Sequence, residues 1–66
     1  MIVYYKLWDY MKRHGVKKSD LYSITSSATV AKLGRNEGVS TEVLGKICGF
    51  LKCQPGDIME YEFDNE

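Results

Sequence analysis

Little in this 66-residue sequence is equipped for chemistry. It has one histidine, His14, and two cysteines, Cys48 and Cys53, which lie in apolar stretches with no histidine nearby. That is too few ligands for a zinc site and too few cysteines for a disulfide framework, so no metal is expected and the cysteines read as buried free thiols. There is no glycine-rich phosphate loop, no second residue stands at triad spacing from His14, and the acids of the tail "EYEFDNE" read as solvated rather than paired for acid–base work. No catalytic residue and no small-molecule cofactor is expected. No apolar run is long enough to span a bilayer, and the opening "MIVYYKLWDY" lacks the charged head and apolar middle of a secretory signal, so the expected location is the cytoplasm, with no membrane partner.

What is present suits a compact fold. Hydrophobic residues make up 44% and aromatics 12%, which argues against disorder. A chain this short forms one domain at most, here taken as 1–66, and buries only ~60% of the surface its unfolded form exposes, so a deep cleft is excluded. The formal net charge of zero conceals an asymmetry. Residues 1–36 carry seven cations against Asp9 and Asp20, a net +5, whereas residues 37–66 carry Lys46 and Lys52 against seven acids, a net −5. A positive half can meet a polyanion while the negative half limits indiscriminate sticking; self-association is the other use of such a dipole.

Apolar spacing predicts a run of short helices. Leu7, Trp8 and Met11 recur at helical spacing from Tyr5 to His14, with Gly15 as a stop signal and His14 in a last turn that favours a cation. Leu21 and Ile24 suit a brief second helix in "KKSDLYSI". Ser26 is a preferred N-cap for a third helix running to about Asn36, with Val30 and Leu33 facing the core. The strongest pattern is "VSTEVLGKICGFLKC": Val43, Leu44, Ile47 and Leu51 form one stripe, Ser40 caps it and Glu42 opposes the dipole in the first turn. Gly45 and Gly49 within it read as tolerated surface glycines. Pro55 opens a last helical turn over 55–59, anchored by Ile58. The ends "IVYY" and "EYEF" are rich in β-formers and can pair as a two-stranded ribbon or add to a partner chain, with the segments around Tyr4 and Tyr61 as candidate dimer contacts.

The face of the third helix opposite Val30 and Leu33 carries Ser27, Ala28, Ala31, Lys32 and Arg35, with Thr29 at the border. Such a face is common on any solvated helix. It also suits a helix entering the major groove: short side chains at closest approach, hydrogen-bonding groups for base edges and cations for phosphates.

The order of elements sharpens the choice. From "KKSDL" through "SSATVAKLGRNE", "VSTEVLGKIC" and "CQPGDI" the sequence resembles the small lambda-repressor and Cro-like regulators of bacteria and phages, the xenobiotic-response-element family. The resemblance covers nearly the whole chain. It implies an all-α, five-helix DNA-binding domain, a transcriptional repressor that occupies duplex DNA through its second and third helices, as a homodimer with half-sites about 34 Å apart. Carried over, Ser26 would cap the recognition helix and touch a phosphate, and Ser27, Ala28 and Lys32 would reach base edges. Thr29, Arg35 and Lys18 would meet the backbone, with Lys17 as a further phosphate candidate. One departure stands out. Between Leu21 and Ser26 the chain has only "YSIT", without glycine, where the family turn is roughly two residues longer. Either helix two is shortened or Ser26 is drawn into the turn. The competing reading is a protein-interaction module that keeps this fold and binds another regulator.

Overall fold

A computed structural model of the chain describes residues 1–63. Strand β1 (Ile2–Val3) is followed by α1 (Tyr5–Arg13), a 3-10 helix (Lys18–Ser23), α2 (Ser27–Gly34), α3 (Thr41–Leu51), a second 3-10 helix (Pro55–Asp57) and strand β2 (Glu60–Tyr61). The fold is helical, as the sequence predicts, but the described residues do not contain five α-helices. Three segments are α-helical, and the second and fifth are tightened to 3-10 turns. The terminal ribbon forms: β1 and β2 pair antiparallel with Ile2 opposite Tyr61 and Val3 opposite Glu60.

The 3-10 geometry at Lys18–Ser23 follows from its composition. Asp20 Oδ2 accepts the Lys17 N–H at 2.9 Å, and the Ser23 hydroxyl donates to the Asp20 carbonyl at 2.8 Å. Short polar side chains that satisfy nearby backbone groups compete with a continuing α-helix, and only Leu21 is buried to oppose them. The short connection is therefore absorbed by helix two. Ser26 stays outside the turn and caps α2, its Oγ accepting the Thr29 N–H at 3.2 Å. Ser40 does the same for α3, accepting from Val43 at 3.2 Å. Each cap satisfies a backbone donor that the helix cannot. Ser26→Ala is expected to lower stability by about 0.5–2 kcal/mol, measurable as a lower urea midpoint with unchanged slope.

One core is built from β1, α1, the first 3-10 helix, α2, α3 and Ile58, the residue that ends the second 3-10 helix. Leu7, Leu21, Leu33, Ile47 and Ile58 are fully buried, and Val3, Tyr4, Met11, Val30 and Leu51 nearly so. Ile24, Val43 and Leu44 pack against this cluster but remain half-buried. Two expectations need correction. The cysteines are half-buried rather than buried, because Cys48 lies at the edge of the α3 stripe and Cys53 where the chain leaves the helix. The Tyr4 side chain is only 3% exposed and turned into the core instead of toward a partner, while Tyr61 is 55% exposed. Gly45 and Gly49 face open space, as expected of surface glycines.

Tyr4 is buried because it braces the molecule. Its backbone N–H donates to Asn36 Oδ1 at 3.0 Å, and its hydroxyl donates to the Glu37 carbonyl at 3.3 Å. The start of α1 is thereby tied to the loop that follows α2. Asn36 has φ 56°, a left-handed conformation that asparagine tolerates better than most residues, and this ends α2 two residues before the predicted boundary. Burial raises the Tyr4 hydroxyl above the usual tyrosine range.

Candidate nucleic-acid interface

The two faces of α2 separate as the spacing predicts. Val30 is 4% and Leu33 0% exposed, whereas Ser27, Ala28, Ala31, Lys32 and Arg35 are exposed and Thr29 lies at the boundary. Eight residues at 1.5 Å rise make a helix about 12 Å long, comparable to the width of the B-DNA major groove. The core attachment of Leu33 and Val30 fixes which side faces out. The Ser26 cap fixes where the helix begins.

Not every predicted contact residue is equally free. The Ser26 and Thr29 hydroxyls are 3.0 Å apart and bonded to one another, so both are oriented by the cap rather than loose in solvent. Arg35 turns onto Glu37, with Nε donating to Oε2 at 2.7 Å and Nη2 to Oε1 at 3.2 Å. These bonds hold the Glu37 carboxyl below the usual carboxylate range, with a smaller contribution from the Lys32 charge, and raise the Arg35 guanidinium. The Lys32 side chain makes no hydrogen bond or ion pair among the described residues. Lys18 places its ammonium 4.6 Å from the centre of the Trp8 ring, a cation–π contact that holds it at the start of the first 3-10 helix. Lys17 is exposed beside it, its backbone N–H spent on Asp20.

Beside this face runs a shallow groove lined by Thr29, Lys32, Gly38, Val39, Ser40 and Val43, between α2 and the start of α3. Sequence reasoning found Thr29 and Lys32 but neither the loop wall of the groove nor the acid at its edge. The signal for the acid was present: Arg35 and Glu37 flank an asparagine, a residue that reverses the chain and can bring its neighbours together. Glu37 sits among the candidate DNA-binding cations and offsets part of their charge. Glu37→Gln is expected to tighten duplex binding by a few-fold, because it releases Arg35 and removes a like charge from the approach of phosphate. A titration of labelled duplex checks this, and weaker binding would show that the ion pair orients Arg35 instead.

No helix among the described residues is long and apolar enough to cross a membrane. Comparison with known proteins agrees with the geometry of the paired helices. The chain is similar to an uncharacterized HTH-type transcriptional regulator, YozG of Bacillus subtilis strain 168, at 37% identity over 41 residues; this spans 62% of the chain but about half, 49%, of that relative. It is also similar to the crystal structure of the transcriptional regulator VanUg, with a TM-score of 0.84 and 44% identity over 89% of this chain and 81% of that one. A family model for the Cro/C1-type HTH DNA-binding domain matches residues 6–64, and the chain belongs to that family.

Proposed function

We propose that the protein is a transcriptional repressor that acts by occupying operator DNA and catalyses no reaction on it. The observation that carries this reading is the outer face of α2: small residues at its start, an unengaged Lys32 in its last turn, and a buried opposite side that fixes its orientation. With α2 in the major groove, Ser27, Ala28 and Lys32 address base edges. Ala28 adds only apolar contact, such as to a thymine methyl. Ser26, Thr29, Lys17, Lys18 and Arg35 address the phosphate backbone, which gives affinity and register rather than sequence choice. Arg35 must exchange Glu37 for phosphate to do so.

Eight helical residues read few base pairs, so sequence choice on a genomic scale needs two copies. A homodimer acting in the cytoplasm, with half-sites about 34 Å apart, meets that need. Both similar proteins are named transcriptional regulators, which supports the same role here. Selection from a random duplex library, followed by footprinting, tests the reading. The expected outcome is an enriched site of two inverted halves centred one helical turn apart. Failure to enrich any sequence above the starting library would overturn it.

A further inference from the structure

The three α-helices end alike. Each is followed by a residue in the left-handed region, Gly15 at φ 68°, Asn36 at φ 56° and Lys52 at φ 58°. The next N–H then donates to the carbonyl five residues back: Val16 to Met11 and Glu37 to Lys32 at 2.8 Å, and Cys53 to Cys48 at 3.1 Å. This closure turns the side chains at its two ends toward each other. At α1 the facing pair is apolar. At α2 the two residues carry opposite charge without forming an ion pair, and the Lys32 charge adds slightly to the hold on the Glu37 carboxyl. At α3 it is a pair of thiols, both free and half-buried against the core. Lys52, which makes the turn between them, is the least suited of the three to a left-handed backbone, lacking both glycine's freedom and asparagine's short polar side chain.

We propose that Cys48 and Cys53 form a redox modification site, closing to an intrachain disulfide by exchange with a low-molecular-weight disulfide. One cysteine, as thiolate, attacks a sulfur of the small disulfide, forming a mixed disulfide and expelling one small thiolate. The second cysteine then attacks the protein sulfur of that mixed disulfide and expels the other. The two electrons pass from the protein thiols to the small disulfide, and the two protons leave on the two small thiols. The closed turn at the end of α3, with the Cys53 N–H on the Cys48 carbonyl at 3.1 Å, brings the two cysteines beside one another. Burial favours the disulfide over a thiolate site for a metal ion: the Cys53 thiol is pushed up to about 11, first by desolvation and then by Cys48 beside it. A disulfide places no charge there. The bond would staple α3 to the segment leading through the second 3-10 helix, which packs on α1 and α3, into β2.

The full chain equilibrated with mixtures of reduced and oxidised glutathione, acid-quenched, alkylated and weighed tests the site. The expected product is a monomer that has lost both alkylatable thiols and carries no glutathione, reversed by dithiothreitol. Cys48→Ser and Cys53→Ser are each expected to stop at a single glutathione adduct. The ratio of disulfide to dithiol at a fixed glutathione poise is expected to be about tenfold higher in native buffer than in denaturant, since only the folded turn pre-positions the two sulfurs. Two retained thiols, two glutathione adducts, cross-linked dimers or an equal ratio in denaturant would each overturn the proposal. None of these outcomes depends on DNA binding.

Discussion

Leu33→Ala is expected to lower the free energy of unfolding by about 2–5 kcal/mol, the cost of removing a buried leucine and leaving a cavity. Leu33 is 0% exposed and lies one residue from Lys32, on the opposite side of α2. Stability for a chain of this size is about 3–10 kcal/mol, so the substitution removes a large share of it. The first casualty is the attachment of α2, which has only Val30 as a second buried anchor. DNA affinity is expected to fall with the folded fraction. Urea unfolding followed by circular dichroism measures the loss, and an unchanged midpoint would mean that Leu33 does not hold α2 to the core.

Lys32→Ala is expected to do the reverse. The side chain is exposed and makes no ion pair or hydrogen bond among the described residues, so stability is expected to change by no more than about 0.5 kcal/mol. Affinity for the selected duplex is expected to fall by about 1–3 kcal/mol, roughly 5- to 150-fold, because a lysine that reaches a base edge contributes both charge and discrimination. A base-reading lysine also gives a distinctive pattern, since its loss relaxes preference at one position of each half-site. A phosphate-bound one weakens all sequences alike. Together the neighbouring substitutions separate the two faces of one helix, one changing the fold and the other the interface.

How far the fold was legible depended on how local its causes are. Ser26 and Ser40 announce α2 and α3 because a cap bonds only three residues ahead, and the stripe of Ile47 and Leu51 is a property of one helix. The tightening of Lys18–Ser23 was half legible. The short "YSIT" connection showed that something had to yield, but the Asp20 and Ser23 backbone bonds decided that helix two would. The burial of Tyr4 was not legible at all, because it depends on Asn36 and Glu37, more than thirty residues away. The end of α3 was equally hidden, as Lys52 carries no glycine-like mark of a left-handed turn. In the candidate interface, the outward set Ser27, Ala28, Ala31 and Lys32 followed from helical spacing. The engagement of Arg35 by Glu37 depended on the turn at Asn36.

The arrangement also sets a pH window. Glu37 is held below the ordinary carboxylate range by Arg35, so its contribution is present above the unfolded carboxylate value and is lost as pH falls through the lowered folded value. Across the neutral range Glu37 stays ionised and keeps its hold on Arg35. At neutral pH, therefore, substitution rather than acid releases that guanidinium.

The most direct test of the DNA-binding reading is fluorescence anisotropy of labelled duplex at several salt concentrations, using protein shown to be folded. With Lys17, Lys18 and Arg35 each neutralising a phosphate, the slope of log affinity against log salt is expected to be about −2 to −3 per protomer. It should become shallower by about one for each phosphate-contacting cation removed. Folded protein that fails to bind duplex at low salt, or binds with an affinity indifferent to salt, would contradict the reading and point to a protein partner for the same surface.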